Sequence, residues 1–178
     1  MDDKPQAGQG ALPDDFQIDI AVAAGSWPDE NELASLCHAA IDAVFKVAPV
    51  QALAGSEVSL VFTDDAAVQE LNKRWRDKDK PTNVLSFPGS EPDGDLYGPL
   101  MGDIVMAQET ISRETDELGI EFSHHLSHLV VHGMLHLFDY DHQENDEAEL
   151  MEGLERQILA GLGISDPYAD KPLLADDD

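Results

Sequence analysis

Residues 122–142 read FSHHLSHLVVHGMLHLFDYDH. Apolar residues between the histidines predict one long helix over about 122–138, and on it His124, His128, His132 and His136 stand four apart along one face. An imidazole pair at i and i+4 points the same way and can reach a single ion. Catalytic zinc usually takes three protein ligands and leaves one position open. His142 supplies the third. It lies six residues past His136, beyond the point where Leu135, Leu137 and Phe138 give way to polar residues. A chain bending back there aims His142 at the last helical turn, within reach of His132 and His136 but not of His128 or His124. His132, His136 and His142 are therefore read as ligands of one zinc ion per chain, although imidazoles also suit other divalent transition metals. His128 is read as a packed residue or an outer support of the ligands, and Asp141 as a support for a ligand imidazole or a plain helix stop. His124 and His125 are expected to be exposed.

Outward from this helix the pattern changes period. Helices are expected at about 108–118 and 146–162, and another from Asp29 to before Pro49, with apolar positions at Leu33, Leu36, Ala40, Ile41 and Val44. A short helix follows Thr63-Asp64-Asp65 and runs through Leu71. Alternation over Phe16–Val22 and Val58–Phe62 gives two strands, and Thr82–Phe87 and Ile104–Ala107 read as two more. Strands come mostly first and helices last, so the fold class is α+β: one domain, residues 16–163, with a small mixed four-stranded sheet packed against helices. Residues 1–15 read as a flexible arm and 164–178 as an acidic tail.

The chain has 178 residues, 37 acidic and 10 basic, for a formal net charge of −27. Such a field repels phosphate over roughly 8–10 Å at physiological salt. The local sign differs: Lys73, Arg74, Arg76, Lys78 and Lys80 fall within eight residues. A single cysteine, Cys37, excludes an intrachain disulfide framework and fits a reducing compartment. With no signal peptide and no membrane-length apolar run, a cytoplasmic protein without membrane contact is expected. Gly133 follows the first ligand, where an H-E-x-x-H metallopeptidase carries its general-base glutamate, and this weakens a peptidase reading.

The run HLVVHGMLHLFDYDH (128–142) resembles the H-G-x-L-H-L-x-G-Y-D-H signature of the YbeY family of bacterial endoribonucleases acting in ribosomal RNA maturation. LNKRWRDKDKPTNVLSFP (71–88) is similar to that family's L-N-x-x-[YW]-R-x-K-D-x-x-T-[DN]-V-L-S-F-P, and GDIV (102–105) to its L-G-D-I strand, with Met101 in place of the leucine. Asp139 stands where the pattern has glycine. The resemblance implies a zincin-like metal-hydrolase architecture and a zinc-dependent, single-strand-specific endoribonuclease. Its implied task is 16S rRNA 3′-end maturation and ribosome quality control, with ribosomal RNA, the small ribosomal subunit and associated factors as partners. It places Arg76 at the family's arginine position, as the guanidinium that clamps nonbridging phosphate oxygens. Lys73, Arg74, Lys78 and Lys80 would attract the strand. Trp75 reads as a core anchor of the short helix, with stacking on a base as its alternative. Thr82, Asn83 and Ser86 either line a groove or are ordinary sheet-face polarity. A peptide or small-molecule metallohydrolase, and an assembly factor with a structural metal, are the competing functions.

Overall fold

The computed structural model describes residues 11–167. Four strands form the main sheet: β1 (Gln17–Val22), β3 (Glu57–Thr63), β4 (Val84–Pro88) and β6 (Leu100–Ala107), in the order β1-β3-β6-β4. β1, β3 and β6 run parallel and β4 is antiparallel to β6, so the sheet is mixed. Two-residue strands β2 (Gln51–Ala52) and β5 (Leu96–Tyr97) pair separately; they are too short to leave a periodic signal in sequence. The helices are α1 (Glu30–Val47), α2 (Asp65–Arg76), α3 (Gln108–Leu118), α4 (Phe122–Leu137) and α5 (Asn145–Gly161).

Alternation along β3 and β6 divides the core. Val58, Leu60 and Phe62 of β3, with Ile104 and Met106 of β6, join α1, α4 and α5 in the larger cluster. Val105 and Ala107 face the other way, onto Val68 and Leu71 of α2. The histidine helix lies at the centre. Leu126, Leu129, Val130, Val131, Met134 and Leu135 of α4 are all fully buried, as expected of a helix apolar on nearly every side. Each such side chain contributes roughly 1.5–3 kcal/mol on burial. Burial likewise pushes the Cys37 thiol up to about 12, so it is a neutral core residue.

Gly133 sets how closely α4 approaches the sheet. A Cβ there would meet Ile104 Cγ2 at 3.0 Å and Ser86 Oγ at 3.3 Å, and Ser86 Oγ donates to the Gly133 carbonyl at 3.2 Å. Position 133 thus faces the sheet, with no room for a glutamate. α2 is longer than its sequence reading. Asp64 caps its start, accepting from Ala67 N–H at 3.0 Å, and left-handed Asp77 (φ 61°) ends it. Of the expected arm, residues 1–10 lie outside the described residues, while Leu12 packs on the core and Pro13 is buried. Of the expected tail, residues 168–178 lie outside them, and Ile164 packs on the core. Among the described residues, no helix is long and apolar enough to cross a membrane.

Candidate metal centre

α4 ends in a turn that sends the chain back over its own last residues. Asp139 N–H donates to the His136 carbonyl at 2.9 Å and Tyr140 N–H to the Leu135 carbonyl at 3.0 Å, with Asp139 left-handed at φ 70°. This is a Schellman closure, whose left-handed residue usually is glycine. Here the aspartate is held from outside: the Tyr97 hydroxyl donates to Asp139 Oδ2 at 2.7 Å and lies 3.2 Å from the Phe138 carbonyl. Burial, the bond to Asp139 and that residue's charge push the Tyr97 phenol up to about 12. Asp141 Oδ1 then accepts the backbone N–H of His142 at 2.7 Å, so it braces the returning chain.

That turn brings three rings together. Centroids of His132 and His136 are 4.6 Å apart, and His142 lies 5.4 Å from His132 and 5.1 Å from His136. One ligand atom from each falls within 4.8 Å of the others. The hydrogen bonds settle which nitrogens face inward. His136 Nδ1 lies 3.0 Å from the Tyr140 carbonyl, which can only accept, so Nδ1 donates and Nε2 of the neutral ring carries a lone pair. His132 Nδ1 lies 2.6 Å from Glu155 Oε2, and the same reasoning applies. The two Nε2 atoms are 3.2 Å apart, lone pair against lone pair unless a cation or proton lies between them. His142 Nε2 is buried with no hydrogen-bond partner. Nitrogens at about 2.0–2.1 Å around a tetrahedral ion stand about 3.3 Å apart, so this donor set fits a divalent metal.

Glu155 is the residue that sequence reasoning missed. It is fully buried on α5 and bridges two histidines: Oε2 to His132 Nδ1 and Oε1 to His128 Nε2 at 3.1 Å. Burial alone would raise its pKa, but the charges of His132 and His128 and their hydrogen bonds outweigh that and hold the carboxyl well below its usual range. A carboxylate on the far nitrogen of a ligand histidine fixes ring and tautomer. One signal was visible: position 155 falls in the apolar stripe Met151, Leu154, Ile158, Leu159. His128, 2% exposed, shares this carboxylate. His125, expected in solvent, is also buried, with Nε2 2.8 Å from Glu114 Oε1 of α3; His124, likewise expected in solvent, is half-buried, with Nε2 3.8 Å from Glu121 Oε1.

Arg76, the last residue of α2, donates from Nη2 to the Ser86 carbonyl at 2.9 Å and lies 5.5 Å over the Phe87 ring. With His136, Asp141 and Gln143 it lines a cavity of about 230 Å³. The arginine therefore shares this space with one member of the histidine cluster, His136. Lys73, Arg74, Lys78 and Lys80 are exposed around the end of α2, Arg74 being 3.6 Å from Glu70. Asn83 donates to Glu114 and Ser86 to Gly133, so these buried groups tie elements together, and Ser86 also lines the cavity. Trp75, expected in the core, is 65% exposed.

The family profile described as Endoribonuclease YbeY matches residues 21–163. The chain belongs to the endoribonuclease YbeY family. An Endoribonuclease YbeY of Rhizobium meliloti (strain 1021) is 53% identical over 166 residues, covering 88% of this chain and 97% of the relative. Another YbeY, of Allorhizobium ampelinum, is 56% identical over 160 residues, covering 86% and 95%. The solution structure of a Thermotoga maritima protein aligns with a TM-score of 0.52 at 22% identity, covering 89% of this chain and all of that one, which supports the fold. The fold class read from sequence, α+β with a mixed four-stranded sheet, agrees with the structure.

Proposed function

We propose that this chain is a zinc-dependent, single-strand-specific endoribonuclease that matures the 3′ end of 16S rRNA and takes part in ribosome quality control, in the cytoplasm and on the small ribosomal subunit. Its family makes it a metal-dependent hydrolase of RNA acting in rRNA processing. The finer reading rests on one observation: three imidazoles whose ligand atoms lie within 4.8 Å of one another include His136, which lines the same small cavity as Arg76.

His132, His136 and His142 would hold the metal, with Glu155 and the Tyr140 carbonyl keeping the first two rings in the tautomer that presents Nε2. A bound divalent ion supplies Lewis acidity, stabilising charge on phosphoryl oxygen and lowering the pKa of water toward about 7. Arg76 carries a permanent charge, and the Ser86 carbonyl fixes its guanidinium at the cavity wall, where charge on nonbridging oxygens would build. A peptidase would need a general base where Gly133 meets Ile104, so peptide hydrolysis is disfavoured.

The test is cleavage of single-stranded RNA, duplex RNA and casein, with metal content measured on the same preparations. Single-stranded RNA cut only before chelation, with zinc near one per chain, is expected. Casein cleavage without RNA cleavage would favour a peptidase; small-subunit binding with neither cut would favour an assembly factor. His136→Ala should drop bound metal well below one per chain. Arg76→Ala should keep the metal and lose about 10²–10³ in rate.

A further inference from the structure

Trp75 is the one large aromatic ring that the described fold leaves mostly in water, at 65% exposure. The other tryptophan, Trp27, is half-buried, with its Nε1–H donated to the Ala24 carbonyl and its ring against Phe62. Val68, Asn72 and Arg76, four apart, form the face of α2 turned to the sheet and the cavity. Trp75 immediately precedes Arg76 and follows half-buried Leu71 by four, so its ring leaves the helix at the solvent edge of that face.

The charge around it is equally particular. In a chain of net charge −27, Lys73, Arg74, Arg76, Lys78 and Lys80 fall within eight residues, interrupted by Asp77 and Asp79. Asp79 is engaged, accepting from Gln69 Nε2 at 2.9 Å. A polyanion approaching this molecule is repelled over most of its surface and attracted here. Cations beside a bare π-face match a phosphate backbone with an unstacked base, the combination found where proteins hold single strands. An acidic protein surface would use the cations but would have no need of the ring.

We infer that Trp75 stacks on an unpaired base flanking the phosphate held at the Arg76 cavity. This rests on the endoribonuclease reading above and adds the residue that grips the strand beside the cut.

The experiment measures binding of a 2′-O-methyl hexanucleotide, which resists cleavage, to the full-length chain carrying Trp75, Trp75→Phe, Trp75→Leu or Trp75→Ala. The leucine and alanine variants should bind about tenfold more weakly, within the roughly 5- to 150-fold expected of one stacked base, and phenylalanine within about threefold of wild type. Moving one abasic position along the oligomer should find a place where wild-type binding falls to the alanine variant's level and that variant loses nothing further. The log–log salt slope should not change, since no phosphate contact is removed. Oligomer binding should quench wild-type tryptophan emission but not that of Trp75→Phe. Alanine binding as tightly as wild type, or losses that add at every abasic position, would overturn the inference. So would full binding by leucine with loss by alanine, which would indicate an apolar protein contact. A wild type that binds and cuts RNA regardless of residue 75 would remove the stacking alone; a wild type that neither binds nor cuts RNA would remove the underlying reading too.

Discussion

Glu155 shows how much one buried carboxylate can fix. It is fully enclosed, and its two oxygens reach His128 and His132, so its ionised form is stabilised only while both rings present protons to it. A carboxyl whose folded pKa lies below its unfolded value adds stability above the unfolded value and loses it as pH falls toward the folded one. The metal-free protein should therefore lose stability progressively below about pH 4.5, the ordinary value for this group, and Glu155→Gln should flatten that acid limb in urea titrations run from pH 7 downward. The same variant should weaken metal binding by about 10- to 100-fold, as loss of an outer hydrogen bond does; unchanged affinity would mean that the ring is held by packing alone. Asp139 makes the complementary case. Its left-handed φ costs about 1 kcal/mol relative to glycine, and the Tyr97 hydroxyl offsets that at a partly exposed site. Tyr97→Phe should then destabilise the chain by about 1 kcal/mol, but only marginally in an Asp139→Gly background, a coupling that a double-mutant cycle measures directly.

At the scale of elements, the site depends on how closely α4 lies on the sheet. Gly133→Ala gains helix propensity but puts a methyl against Ile104 Cγ2 and Cδ1 at 3.0 and 3.1 Å. The net effect should be a loss of about 1–2 kcal/mol, partly restored by Ile104→Val, which removes one of the two atoms; a stabilised single variant would show that the sheet yields. Elements were legible where periodicity is long. Histidine spacing and the apolar run around it marked α4 and the convergence of His132, His136 and His142, because a helix fixes i and i+4 neighbours locally. What failed was long-range. Nothing local places Glu155 beside His132 across 23 residues, or Glu114 beside His125 across 11. α2 extended past Leu71 because Lys73 to Arg76 contain no helix stop; the stop is Asp77. The starts of α2 and α3 also cap one another. Asp65 accepts from Thr110 N–H at 3.0 Å, while Glu109 accepts from Asp65 N–H at 2.7 Å, an arrangement that leaves no mark in either segment alone.

For the whole molecule, charge sets two responses to salt that run in opposite directions. Thirty-seven acids against 10 bases repel one another in the compact state, so screening should raise the melting temperature as sodium chloride goes from about 10 mM to about 500 mM. Binding to single-stranded RNA should weaken over the same range, because each neutralised phosphate releases counterions and adds about 0.7 to the log–log slope. If Lys73 and Lys80 each touch a phosphate, the double variant Lys73→Ala/Lys80→Ala should lower that slope by about 1.4 while keeping its metal and the salt response of its melting temperature. Both lysines are exposed, so folding gives no reason for the slope to change. An unaltered slope would place the strand elsewhere and leave the basic end of α2 as a solvated helix terminus, its cations merely complementing the negative end of the helix dipole.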